Sequence, residues 1–564
     1  MPFRKALLAL LVIPTLLLSA AQLLEDTPSQ TVFRVVFDDA RISKPEGGYV
    51  SLEIPGFGPR GEIGGPELPG KTFQMAIPKG AELSVELEAE WGDWKGYPPA
   101  PRNRDGNDRI AFGKEGLYAS PFGGSVELID RHVIRGVQIA AVDLIPAEYS
   151  PGRGVRIMES VVITLKHPGG GQTAQEARLY HPVFEKLYRS ELVNPEAALP
   201  RERPTDGEWD PSDGAELLII VYDSFEDEIQ PWVDWKDLMG LPTKVVTTSV
   251  AGTDTTSIKS YIQTAYDSWA MPPVYVLFAA DANYIPAWQG SGGVCGDNEY
   301  CTVDGSDMFP DIFPGRFSAD YSTQMSTIVQ KHLNYEKEPV MSDDWYARAV
   351  GIANEDDPDW DPLGPQDSSY VAAVTYGMNR CSAAGFTSAP IFRRALGHDA
   401  DDVRPYLEDG VNFVQYRGQA WPDYYYGFGD GLDTVDNGGK CAVNISISCG
   451  TGAFFSGDDR MAERSTRAGT PSNPKGACCF IGQGLISSHS EERSSLSKHI
   501  FEGLFPEEIN QISAAHTFGK NEMYAEFGGS YDCRYEYNSA ILIGSPEMLA
   551  WTAPIEYPDV THPA

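Results

Sequence analysis

Basic side chains are scarce in this chain: 44 Lys and Arg stand against 80 Asp and Glu, a formal net charge of −36. A phosphate backbone needs a basic face to displace its counterions, so nucleic acid is excluded as a partner. The acidity suits solubility in a salty or extracellular setting, and equally a surface that takes up Ca²⁺. Cysteine is rare too, with 8 in 564 residues. No two are spaced as CxxC, which removes a zinc ribbon. Cys295 and Cys301 bracket a short polar loop and could form a disulfide, whereas Cys478 and Cys479 lie in an apolar run and read as buried thiols. Beyond the N-terminus there is no apolar run of about 20 residues able to span a bilayer, so no membrane anchor is expected in the mature chain.

What is present begins with MPFRKALLALLVIPTLLLSAAQ. Arg4 and Lys5 precede an apolar stretch from Ala6 to Leu18, and Ser19 and Ala21 supply small residues at a cleavage site. This is the pattern of a secretory signal peptide over residues 1–21, which implies a secreted or periplasmic protein. Residues 27–170 alternate short apolar runs, such as TVFRVVF and VRIMESVVITL, with Gly- and Pro-rich turns. Period-2 alternation with frequent turns predicts an all-β, sandwich-like domain. Residues 171–214 are rich in Gly, Pro and charge and read as an exposed linker, with Arg201 and Arg203 as candidate processing points. From Glu216 the pattern changes to continuous apolar strands (ELLIIVY, VYVLFA, VNFVQYR, AVNISIS, GACCFIG) separated by helical segments. That alternation predicts an α/β fold with a mainly parallel sheet flanked by helices. It divides into subdomains over 215–345 and 346–505 and a mixed tail over 506–564 that completes the domain.

In open α/β sheets, ligands bind beyond the carboxyl ends of the strands. Two strands end suggestively here: VNFVQYR runs into Gly418-Gln419-Ala420-Trp421, and AVNISIS runs into Ser448-Cys449-Gly450. A cysteine at a strand end, followed by Gly and a helix, has the geometry of an exposed thiolate with helix amides nearby. Asp297, Glu299, Asp304, Asp307 and Asp311 crowd one loop, and Asp356 and Asp357 lie in a second acidic stretch, NEDDPDWD.

Several ordered segments resemble the gingipain-like cysteine peptidases (peptidase family C25), which have a caspase-like fold. They are VYVLFAADANYIPAW, then VDGSDMFPDIFPGRFSA with HLNYEKEP, then SISCGTGAF with MAERSTRA and KGACCFIG, and finally IGSPEML. The region 30–166, with its Leu-Pro-Gly-Lys and DLIPAEYSPG stretches, resembles the family's N-terminal pro-domain. The resemblance implies a zymogen whose pro-domain docks on the peptidase domain, a protein or peptide substrate, no required cofactor, and Cys449 as nucleophile. It implies an oxyanion hole from the backbone N–H groups of Cys449 and Ala420. Trp421, Asp304, Asp307 and His489 would contact substrate. Asp297, Glu299, Asp356 and Asp357 would be candidates for a structural Ca²⁺. The family's catalytic His position holds Gln419, which cannot shuttle a proton near neutral pH. Two readings follow. In one, an endopeptidase uses a substitute base such as His489. In the other, a pseudopeptidase binds peptides or partners without cleaving them.

Overall fold

The computed structural model describes residues 21–102, 114–200, 210, 212–290, 294–341, 343–355, 365–455, 459–486 and 490–553. The expected signal peptide, except Ala21, lies outside the described residues, as do Arg201 and Arg203.

An eight-stranded sheet builds the N-terminal domain: β1 (Gln22–Thr27), β2 (Gln30–Val36), β3 (Gly58–Arg60), β4 (Leu68–Ala76), β5 (Ser84–Trp91), β6 (Phe122–Ile134), β7 (Val137–Ser150) and β8 (Gly154–Lys166). They pair in two blocks, β1-β2-β8-β5 and β3-β4-β7-β6, which share the β7–β8 hairpin. In β2 every second side chain is buried, as the pleat requires. Phe33, Val35, Phe73, Met75, Val142, Leu144, Val161 and Ile163 fill the space between the blocks. The sandwich-like reading is thus recovered.

The expected linker is not a free spacer. It carries α1 (Pro182–Glu191), whose Val183, Phe184, Leu187 and Tyr188 are buried in the same core as the parallel sheet. These four recur at helical spacing, a short apolar stripe masked in the sequence by the flanking Pro and charge. The Val193 N–H, just beyond, donates to the Gln74 carbonyl of β4. The segment therefore straps the two domains together.

The second domain is a ten-stranded sheet. Its first half is β9 (Leu217–Val221), β10 (Thr243–Thr247), β11 (Tyr275–Ala279) and β12 (Phe313–Arg316), in the order β10-β9-β11-β12 and all parallel. The second half is β13 (Ala349–Asn354), β14 (Ile391–Arg393), β15 (Phe413–Gly418), β16 (Ala442–Ser446), β17 (Ala477–Gln483) and β18 (Ala540–Ile543). Its order is β14-β13-β15-β16-β17-β18, with only β18 antiparallel. The Gly544 N–H donates to the Arg316 carbonyl at 2.7 Å and joins the halves edge to edge. Every residue of β9, β11 and β16 is buried, because helices cover both faces. Those helices are α2 (Glu226–Leu238), α3 (Thr255–Ser268), α4 (Ser322–Glu336), α5 (Pro365–Ala383), α6 (Ala400–Asp409), α7 (Met461–Arg467), α8 (Ser490–Leu504), α9 (Ile512–Phe527) and α10 (Tyr531–Ser539).

The expected mixed tail contains two of them. α9 is buried almost all round, Lys520 and Asn521 included, since the N-terminal domain lies on one side and α8 on the other. A helix with no wet face shows no amphipathic period. Cys295 and Cys301 are not bridged. Cys295 lies in a two-residue strand paired with Gln289, while Cys301 is packed into the core.

Candidate active site

β15 and β16 are neighbours in register, with Tyr416 opposite Ser446. Gln419 and Cys449 each lie three residues further on, so the strands bring both to the same carboxyl edge of the sheet. Cys449 sits in a tight turn. Thr451 Oγ1 donates to the carbonyls of Ser446 (2.7 Å) and Ser448 (2.9 Å). The N–H groups of Gly450 and Gly452 donate to Leu485 and Gln483. Gly450 has φ +67°, and a Cβ there would stand 2.7 Å from Pro422 Cγ. The short hairpin of Ala420–Trp421 and Tyr424–Tyr425 therefore packs directly on the cysteine turn. Trp421 (50% exposed) and Tyr424 (40%) lie at its tip, whereas Tyr425 stacks on Tyr416 in the core.

The helix after Cys449, expected over 458–467, spans Met461–Arg467, and its Ala462 N–H donates to the Thr451 carbonyl of the cysteine turn at 3.2 Å. The charge in contact with the sulfur comes from a side chain. Arg493, in the first turn of α8, donates from Nη1 to Cys449 Sγ at 3.0 Å. Its Nε donates to Glu536 Oε2 of α10 at 2.8 Å, and its Nη2 to the Leu485 carbonyl at 2.9 Å. Arg493 and Glu536 are 2% and 0% exposed. Burial by itself would lower the Arg493 pKa, but Glu536 and then Cys449 hold it above its ordinary value. A second buried guanidinium, Arg417 of β15, binds the Ile447 carbonyl, the Ser490 carbonyl (3.0 Å) and Ser494 Oγ (3.0 Å). Burial pushes it down to about 10. Together the two arginines tie the cysteine turn to the start of α8. Cys449 is the only one of the eight cysteines that is not buried. Burial raises the other thiols, Cys441 to about 11.

The remaining candidates fall elsewhere. Asp307 and Asp311 face the N-terminal domain. Asp307 Oδ2 accepts the Val133 N–H (2.9 Å), and Asp311 Oδ1 accepts the Arg135 N–H (2.6 Å). Asp304 donates its own N–H to Asp311 and accepts a long hydrogen bond from Tyr266. Expected to contact substrate, Asp304 and Asp307 instead belong to a loop that receives the β6–β7 turn. Arg135, at that turn, buries its guanidinium on the carbonyls of Leu179 (2.7 Å), Pro273 (2.8 Å) and Asp311 (3.0 Å). Asp297 forms a bidentate pair with Arg316 (2.7 and 2.8 Å), and Glu299 pairs with Lys259. Each already has a cation, which disfavours the Ca²⁺ role; among the described residues no group of three or more His, Cys, Asp or Glu is arranged to hold a metal. Asp356, Asp357 and His489 lie outside the described residues. His398, on the β14–α6 loop, accepts the Arg393 N–H, and two strands, β13 and β15, lie between β14 and β16.

Arg493, Glu536 and Arg417 were missed by sequence reasoning. One signal was available for Arg493. A cation in the first helical turn opposes the helix dipole, so it needs a local anion.

Residues 210–551 match the family model for peptidase family C25. Lys-gingipain HG66 of Porphyromonas gingivalis is 26% identical over 93% of this chain, and the chain spans 31% of its length. Gingipain R2 of the same organism is 24% identical over 76% of this chain and is spanned over 59% of its length. The crystal structure of the Arg-specific cysteine proteinase gingipain R aligns over 60% of this chain and 79% of its own, with a TM-score of 0.54 at 21% identity. A complex of the Porphyromonas gingivalis RgpB pro- and mature domains aligns equally well, over 59% and 79%.

Proposed function

The chain belongs to peptidase family C25, and from that premise we propose that it is a secreted cysteine endopeptidase, made as a zymogen, with Cys449 as nucleophile. One observation carries this reading. Cys449 is half-buried at the end of a central strand, with a guanidinium 3.0 Å from its sulfur. Reactive cysteines sit in electropositive, partly open surroundings of this kind. The thiolate attacks a peptide carbonyl carbon, forming an S–C bond and moving the π pair to oxygen. Collapse breaks the C–N bond, the amine leaves with a proton, and water hydrolyses the thioester. We assign the proton transfer to His489. It precedes Ser490, whose carbonyl binds Arg417, and follows Leu485, whose carbonyl binds Gly450 and Arg493. Trp421 and Tyr424 form the exposed aromatic wall for the substrate chain. The N-terminal domain acts as the pro-domain, in line with its docking through Arg135 and α1. Export rests on the leader-like residues 1–21.

Cys449→Ala is expected to abolish peptide hydrolysis by the processed protein. Unchanged hydrolysis would remove Cys449 from the mechanism. Gln419 favours a second reading, a pseudopeptidase that binds peptides without turnover. If the wild type is inactive and Gln419→His creates hydrolysis, the second reading stands.

A further inference from the structure

Resting on the reading of Cys449 as nucleophile, we propose that Arg493, braced by Glu536, is a positioning residue that holds Cys449 as a thiolate before substrate arrives. In this chain it stands in for the counter-ion that an imidazole at position 419 would supply. The geometry is specific. Arg493 reaches Cys449 Sγ at 3.0 Å, Glu536 at 2.8 Å and the Leu485 carbonyl at 2.9 Å, three acceptors from three different segments. A planar guanidinium fixed at Nε and Nη2 leaves Nη1 no choice of direction, so it is preorganised toward the sulfur. In a buried setting such a charge acts with little screening. Arginine does not give up its proton at any working pH. It therefore stabilises the anion without taking a proton from it, and any proton transfer belongs to another group.

Among the described residues, the charged and titratable groups facing this pair come from four elements. α8 supplies Arg493. β15 supplies Arg417, whose guanidinium lies 4.8 Å from the Tyr370 ring of α5. α10 supplies Glu536 and Tyr535, the latter raised chiefly by burial and then by Glu536. Arg417 adds positive charge at the turn through Ile447, while Glu536 competes with the thiolate for Arg493. Arg493 and Glu536 should thus have opposite electrostatic effects on the sulfur, which separates a charge effect from mere support.

The test is the pH dependence of iodoacetamide alkylation at Cys449, read by peptide mapping of the intact chain. The other seven thiols are buried and serve as internal controls. All variants are made in the wild-type and His489→Ala backgrounds, so that an imidazole limb is recognised separately. Arg493→Met should raise the pH of half-maximal rate by at least one unit, at least a tenfold loss of rate at pH 6. Arg493→Lys should recover at least half of that shift. Glu536→Gln keeps an acceptor of the same shape but removes the competing charge, and should shift the profile the other way. An unshifted Arg493→Met profile with native circular dichroism overturns the proposal, as does an upward shift in both Arg493→Met and Glu536→Gln. Peptide hydrolysis is scored apart from alkylation, on the processed protein. Absent hydrolysis with a shifted profile overturns the peptidase reading and leaves the role of Arg493 intact.

Discussion

Arg135 and Arg493 are both stripped of water, yet they are compensated in opposite ways. Arg135 rests on neutral carbonyls, with only its main-chain N–H on Asp311, and burial pulls it below its ordinary value. Arg493 faces a carboxylate and a thiol and is held above its ordinary value. A cation ringed by carbonyls is fixed by geometry and acts as a wedge: it locks the β6–β7 turn, where Arg135 itself has φ +44°, into the α/β domain. A cation placed between a carboxylate and a thiol can influence the thiol. The first region is therefore structural and the second chemical, although the two side chains are the same.

The comparison breaks if the two arginines prove interchangeable in their effects. Replacing Arg135 by Met leaves several buried carbonyls unpaired and should cost about 3–5 kcal/mol. The loss is measured by denaturant unfolding of the full chain, and the Cys449 alkylation profile should stay where it was. A shifted profile would mean that the docking end reaches Cys449. Gly450→Ala probes the other end. Its positive φ and the approach of Pro422 should cost about 1–2 kcal/mol, since non-glycine residues are strained there. Here alkylation should slow while docking of the N-terminal domain persists.

The smallest effect is expected from pH at the docking end. Burial raises Asp307 to about 6, so its contribution is greatest when protonated and is lost as pH rises from about 4 to about 6. His132, stacked on Phe309 at 3.9 Å, is lowered to about 4 by burial. Its contribution is lost as pH falls from its ordinary range near 6.5 towards 4. The two limbs oppose each other over one window. Relative to wild type, Asp307→Asn should gain thermal stability as pH rises through that window. His132→Gln should gain as pH falls. Melting curves from pH 4 to 7 check both signs.

Much of the architecture was legible in the order of residues. The fully buried runs of β9, β11 and β16 and the alternation in β2 are local consequences of which faces are covered. So is the placement of Gln419 and Cys449 each at a strand end, since each merely continues its strand, whereas the pairing of those two strands belongs to the sheet order. The acidic loop was legible as a cluster but not as a receptor for Arg135, because its partner lies 176 residues away. α9 escaped detection because it has no solvent-facing side.

The sequence by itself determined the strands, their two periods and the position of one cysteine at a strand end, because these depend on neighbours along the chain. The charge that faces that cysteine was decided only by the tertiary structure. Arg493 lies 44 residues from Cys449 and 43 from Glu536, and the three meet because β16, the first turn of α8 and α10 converge beyond the carboxyl edge of the sheet. Electrostatics depends on distance in space, and no spacing in the chain encodes it.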